Sequence, residues 1–293
     1  MSIAITEDHR QLADTVSGFA EKRDARGAAR ALLEAPEESL PSFWSELAEL
    51  GWLGLHLPES VGGSGYGLEE LVIVVEELGR QDAPGPFVPT VIASAVLAAV
   101  GDDDVQSAWL PGLADGSTVG AVALDGSIEV SGGSASGDAG VVLGGGLADV
   151  ILVAVGDDVA LVQVGAGVTV TVPPNLDPTR RTARVSLDGA PVTMIPGGRR
   201  VLVDLARVVL AAEAVGIAGE CTEMAAAYSK ERIQFGRPIA MYQAVKHHCA
   251  NMKVATELAT SAVWDAARAA STGGDQLTLA AAVAATLAAP AAD

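Results

Sequence analysis

Aromatic side chains are scarce in this chain: they make up 4% of the residues, while hydrophobic residues together make up 49%. The interior must be filled by Ala, Val and Leu, and small side chains of this kind favour close helix-on-helix packing. Basic residues are also few, with 18 Lys and Arg against 37 Asp and Glu and a net charge of −19. Phosphate neutralisation needs clustered Lys and Arg, so this balance excludes nucleic acid as a partner and argues equally against an anionic membrane surface. A pocket in which a few arginines hold an anionic ligand remains open, because net charge is a weak guide to a single site. The two cysteines, Cys221 and Cys249, are too few for a disulfide framework. Both fall in helical pattern and read as buried free thiols of a reducing compartment. No basic-then-apolar leader opens the chain. No run of about 18 uninterrupted apolar residues occurs, and the Ala-rich stretch from Leu277 reads as too short and too weakly apolar to span a bilayer. The expectation is a soluble cytoplasmic protein.

At 293 residues the chain is long enough for two or three lobes around a large core. Hydrophobic period separates three regions. From Thr6 to about Gly112 the spacing is helical, as in Leu12, Val16, Phe19 and in Leu71, Val74, Val75, Leu78. Thr6 with Asp8 reads as a helix N-cap region, Gly79 as lying near a helix end, and the Asp102–Asp104 run as a cap before a helix. From about Thr118 to Pro196 short Val-rich runs take over: Val119–Leu124, Val150–Val155, Val159–Val164 and Val168–Val172. Helices return near 200–230, 240–271 and 275–289. The expectation is an α+β chain with an N-terminal helical domain over 1–115, a middle antiparallel β domain over 116–197 and a C-terminal helical bundle over 198–293. The glycines at 62, 63 and 65 and at 144–146 lack strand-turn-helix context and read as turns. Adjacent His247, His248 and Cys249 point about 100° apart on a helix, so no metal site is expected.

The segment from Tyr228 to Gln243 interrupts a helical pattern with a Gly-x-Pro break and sets Arg232, Gln234, Phe235, Ile239, Tyr242 and Gln243 at the bend. An arginine suits a phosphate oxygen through a charge-assisted bond. A glutamine offers donor and acceptor to an adenine edge, and a phenylalanine offers a flat apolar wall. The competing reading of Arg232 is a helix-surface ion pair with Glu231 or another carboxylate. This run resembles the Arg-x-x-Phe-Gly-x-Pro…Gln signature of the acyl-CoA dehydrogenases, which are FAD enzymes. Ordered likenesses extend over nearly the whole chain: Gly51–Gly63, Val75–Arg80, Asp177–Arg180 and Val185–Asp188.

The resemblance implies an FAD shared across a subunit interface, with one subunit holding the isoalloxazine and acyl-CoA while its neighbour reaches over to the pyrophosphate and adenine. Arg232, Gln234, Phe235, Ile239, Tyr242 and Gln243 match the positions that reach over. The chemistry needs a carboxylate base for the α-proton, a flavin for the β-hydride and hydrogen bonds to the thioester carbonyl. At one of the two family positions for the base this chain carries Ala206, in the run Asp204-Leu-Ala-Arg207. The other position lies beyond Asp293. Glu213, two helical turns on, is the one displaced candidate for a base. Asp204 and Arg207 match positions near the thioester and CoA, with a helix-start ion pair as the alternative. The flavin-facing pattern of the family is missing from Leu124–Glu129 and Gly137–Val142.

The half of the site given to a neighbour is therefore kept, and the half a subunit keeps for itself is eroded. The resulting expectation is the base-lacking subunit of a heteromeric acyl-CoA dehydrogenase. Its partner would be a homologous complete subunit in a heterodimer or heterotetramer, acting on a bulky acyl-CoA such as one with a steroid side chain. The alternatives are an autonomous dehydrogenase or oxidase using Glu213 or a C-terminal base, and a scaffold that binds no flavin.

Overall fold

A computed structural model describes residues 5–293. Six helices come first: α1 Glu7–Lys22, α2 Ala25–Leu32, α3 Trp44–Glu49, α4 Leu68–Arg80, α5 Phe87–Val100 and α6 Asp103–Ala114. Seven strands follow: β1 Gly120–Ala123, β2 Ser127–Ser131, β3 Ser134–Leu143, β4 Val150–Val155, β5 Asp158–Gln163, β6 Val168–Thr171 and β7 Thr182–Ile195. The chain continues through α7 Gly198–Glu231, a small ribbon of β8 Ile233–Gln234 and β9 Arg237–Pro238, then α8 Gln243–Ala270 and α9 Gly274–Ala292. Two compact units interleave along the sequence: residues 23–67 with 84–206, and residues 1–22 with 68–83 and 207–293.

In the first of these units the sheet order is β2-β3-β1-β4-β5-β7-β6, and β3 pairs with β7 as well, so β3, β1, β4, β5 and β7 close into a ring. The pairings are antiparallel as expected, with one exception: β1 and β4 run parallel, Ala121 opposite Ile151 and Ala123 opposite Val153. The β2–β3 hairpin intervenes between them and carries the chain back to the start of β4. Alternate residues Ala121, Ala123, Ile151, Val153, Ala160 and Val162 share one core, as the two-residue period of a strand requires. The remaining residues of β1 and most of those of β4 and β5 are also buried, which explains why these strands read as continuous Val-rich runs.

Helix α5 packs on β1. Thr90 Oγ1 accepts from Gly120 N–H at 3.2 Å, and a Cβ on Gly120 would come within 2.8 Å of the Ala93 Cβ. Asp102 caps α6 by accepting from Val105 N–H at 2.9 Å, as the acidic run suggests. Ser94 donates to the Val91 carbonyl and so receives the Nε2–H of His56 at 3.1 Å, while burial pushes His56 down to about 4 and keeps the ring neutral.

The second unit is helical. Thr6 and His9 form a reciprocal cap on α1: Thr6 Oγ1 accepts from His9 N–H at 3.2 Å, and His9 Nδ1 accepts from Thr6 N–H at 3.3 Å. Helices α4 and α7 cross at glycine. A Cβ on Gly79 would sit 2.6 Å from the Glu213 carbonyl oxygen, and one on Gly216 would overlap the Glu76 carbonyl oxygen. Arg80 lies against Gly219 and meets Glu77 at 3.6 Å, Glu220 at 3.9 Å and Glu223 at 3.4 Å. Two expectations are corrected in this unit. Cys221 is exposed and Cys249 half-buried, because both fall off the α7–α8 seam marked by buried Thr222 and Thr256. Helix α9 runs for 19 residues and is, by length and composition alone, apolar enough to cross a membrane. It buries Leu277, Ala280, Ala281, Ala284 and Ala288 and packs along α8.

Two predictions follow from this packing. Gly216→Ala gains about 1 kcal/mol of helix propensity but forces backbone apart, so chemical denaturation should show a net loss of about 2 kcal/mol. The control Gly18→Ala, in open space on α1, should gain up to about 1 kcal/mol; equal effects at both sites would refute the close crossing. The second concerns Glu76, half-buried on α4. Burial first, then Glu77 and Glu257 against the opposing pull of Arg80, push its carboxyl up to about 7. A raised folded value means that its stabilisation is complete below about 4.5 and is lost as pH rises through 7. Glu76→Gln should therefore flatten the stability profile across that window and stabilise the protein at pH 8 by about 2 kcal/mol. An unchanged profile would place the carboxyl in water.

Candidate functional site

All six residues of the bend lie on the connection between α7 and α8. α7 ends at Glu231, and Arg232 closes its last turn with an N–H···O bond to Tyr228 at 2.9 Å. The chain then forms a two-residue hairpin, with Ile233 opposite Pro238 and Gln234 opposite Arg237. Ile239 N–H donates to the Arg232 carbonyl at 2.8 Å and closes the base. A single turn of 3-10 helix, Ile239–Met241, leads through Tyr242 to Gln243, the first residue of α8.

The apex has an unusual backbone. Phe235 at φ 53° and Gly236 at φ 77° both take left-handed conformations, the geometry of a type I′ turn. Such loops favour Asn-Gly, and a bulky residue with positive φ is a true outlier. Phe235 is nonetheless 93% exposed, so no buried contact explains its placement. Tyr242 is an aromatic neighbour, edge-on at 6.4 Å between ring centroids. Tyr242 also donates its hydroxyl to the Gln234 carbonyl at 3.1 Å.

Among the described residues no carboxylate pairs with Arg232. Arg232 is exposed, and the N-cap residue of α8, Tyr242, makes no side-chain cap bond. Gln243 is exposed there, with Nε2 at 3.4 Å from His247 Nε2. One short connection thus carries an exposed cation, an aromatic ring, an amide and a helix N-terminus, residue types that could hold a pyrophosphate and an adenine. On the hairpin, its short connection and the flanking helices α7 and α8, Met224, Tyr228, Ile233, Met241, Val254 and Leu258 are exposed large side chains.

The other expected positions lie elsewhere. Asp204 is 2% exposed and faces Arg200 at 3.9 Å, one helical turn away, consistent with an ion pair at the start of α7. Arg207 is exposed. Ala206 is fully buried. The backbone of Glu213 forms part of the α4–α7 crossing at Gly79. Leu124–Glu129 and Gly137–Val142 fall on the β2–β3 hairpin and its entry turn, where Ser127 pairs with Asp138 and Ile128 with Gly137.

Sequence reasoning missed two features. One is Arg237, whose guanidinium carbon lies 4.4 Å from the Tyr242 ring centroid. Its signal was the cross-strand position opposite Gln234. The other is the cluster of His9, Glu69 and Glu70, whose potential metal-ligating atoms lie within 4.8 Å of one another. The helix cap uses the His9 Nδ1 lone pair, so Nε2 carries the hydrogen and faces Glu70 at 3.4 Å, while Arg268 approaches Glu69 at 3.7 Å. The cluster links α1 to α4 through the contact of a neutral imidazole with Glu70, and α4 to α8 through the Arg268–Glu69 ion pair.

Known proteins resemble this chain over most of its length. The acyl-CoA dehydrogenase N-terminal domain profile matches residues 6–117, and the acyl-CoA dehydrogenase C-terminal domain profile matches residues 200–292. The chain is 38% identical over 304 residues to the acyl-CoA dehydrogenase FadE34 of Mycobacterium tuberculosis, covering 98% of this chain and 41% of that protein. A solved structure of a Tcur3481-Tcur3483 steroid ACAD variant superposes with a TM-score of 0.90 at 29% identity, over 98% of this chain and 84% of that one. The ChsE4-ChsE5 complex from Mycobacterium tuberculosis gives 0.89 at 27% identity, over 99% and 85%.

The strained apex yields a direct test. Phe235→Gly relieves a left-handed non-glycine residue, which costs about 1–2 kcal/mol, and loses only an edge contact. Thermal unfolding should show an equal or raised midpoint; a clear drop would mean that the Phe235 ring stabilises the fold.

Proposed function

Because this chain belongs to the acyl-CoA dehydrogenase family, we propose that it is the FAD-sharing, base-lacking subunit of a heteromeric acyl-CoA dehydrogenase. The observation that carries this reading is the hairpin tip: Phe235 is strained and exposed, three residues after an exposed Arg232 that no carboxylate among the described residues neutralises. Such an arrangement has little use within one chain and a clear one across an interface. When bound, FAD supplies the hydride acceptor for α,β-dehydrogenation of the CoA thioester. This chain contributes Arg232 to the pyrophosphate, Gln243 to the adenine edge and Phe235 as an apolar wall, with Gln234 and Ile239 shaping the hairpin. The exposed apolar residues of the hairpin and of the flanking helices α7 and α8 suit a homologous subunit, which would supply the base that buried Ala206 cannot. Likeness to a steroid ACAD and to a two-chain complex supports a bulky acyl-CoA and a heteromeric assembly.

Flavin absorbance tests the proposal. The chain purified alone should carry little FAD, and its complex with the homologous subunit about one FAD per heterodimer. Arg232→Ala should weaken FAD binding in the complex by about 2 kcal/mol, roughly 30-fold. A full complement of FAD on the isolated chain would overturn the shared site.

A further inference from the structure

We infer that Arg237 is a positioning residue for the cofactor-facing hairpin, acting through the ring of Tyr242. This rests on the reading of the tip as an FAD-binding element and goes beyond it, by assigning what holds the tip in place. The hairpin has two residues per strand, and a ribbon of that size is not stable by itself. Its apex adds the cost of Phe235 in the left-handed region. Something local must oppose that cost, and the contacts converge on Tyr242. Its hydroxyl donates to the Gln234 carbonyl at 3.1 Å, its edge meets Phe235, and its face carries the Arg237 guanidinium at 4.4 Å. Arg237 is the cross-strand partner of Gln234, so the ring ties both strands and the apex to the start of α8.

The two arginines of the tip therefore differ in role. Among the described residues neither is paired with a carboxylate. Arg237 is committed to an aromatic face, while Arg232 remains open to an anion. A lysine at 237 would keep the charge of the tip and alanine would remove one of its two positive charges, but either would loosen the ring that orders Gln234 and Phe235. Exposed cation–π contacts are weak, and the strength expected of this one corresponds to a two- to fivefold change in the ordered population.

The test compares Arg237→Ala, Tyr242→Leu, the double variant and Arg232→Ala. Amide hydrogen exchange at 233–239 in the chain alone, without FAD, is the first readout. Exchange should quicken two- to fivefold in Arg237→Ala and not at all in Arg232→Ala. The second readout is FAD affinity of the complex with the homologous subunit, followed by flavin fluorescence. Arg237→Ala should weaken binding two- to fivefold, and the double variant should be no weaker than Tyr242→Leu alone. Additive losses would show that Arg237 contacts the cofactor directly and would overturn the inference, as would unchanged exchange. If exchange responds but even Arg232→Ala leaves FAD binding intact, the clamp stands and the cofactor reading of the tip fails.

Discussion

The helical unit depends on one close approach, the crossing of α4 and α7. Gly79 and Gly216 remove the side chains that would hold the two backbones apart, and each faces a carbonyl oxygen of the opposing helix. Backbone cannot rotate out of the way as a flexible side chain can, so even one methyl group must displace a whole helix. Gly219 then leaves room for the Arg80 guanidinium, which gathers Glu77, Glu220 and Glu223 in a chain with a large acidic excess. The crossing thus sets the position of α7, and α7 delivers the hairpin.

That arrangement accounts for the chemistry of the tip. A 34-residue helix is roughly 50 Å long and stiff, so whatever sits on its last turn is held far more precisely than a surface loop would be. Packing fixes the base of the hairpin, and a single tyrosine organises its apex. The unfavourable backbone at Phe235 fits the general observation that strain concentrates where a site must be preorganised.

Much of this was legible in the residues because local rules decided it. The Arg232–Gln243 run was found through its Gly-x-Pro break, and the structure brings its members onto one connection. The strands at 150–155, 158–163 and 168–171 fell where Val-rich runs stood, and the Asp102 cap was visible as an acidic residue ahead of a helix. Helix α5 left no periodic trace because eleven successive residues from Phe87 to Leu97 are all buried, so no polar face marks the turn. The two cysteines were misplaced for a related reason: composition says that thiols tend to be inside, but only the angular position of the α7–α8 seam decides which residues it covers. Arg237 escaped notice because its partner is a ring five residues on, across a turn whose type depends on an unlikely residue at positive φ. The parallel β1–β4 pair could not be read at all, since strand direction follows from the path of the intervening hairpin rather than from either strand.

The interleaving of the two units has a consequence for synthesis on the ribosome. Helices α1 and α4 emerge early, yet their own unit cannot assemble until α7, α8 and α9 arrive, with roughly 120 residues made in between at about 5–20 residues per second. The buried apolar faces of both helices must wait through that interval of several seconds, while the β-containing unit can close in sequence order. The nascent chain therefore passes through a half-folded stage with uncovered Leu and Val stripes, the kind of surface that chaperones bind.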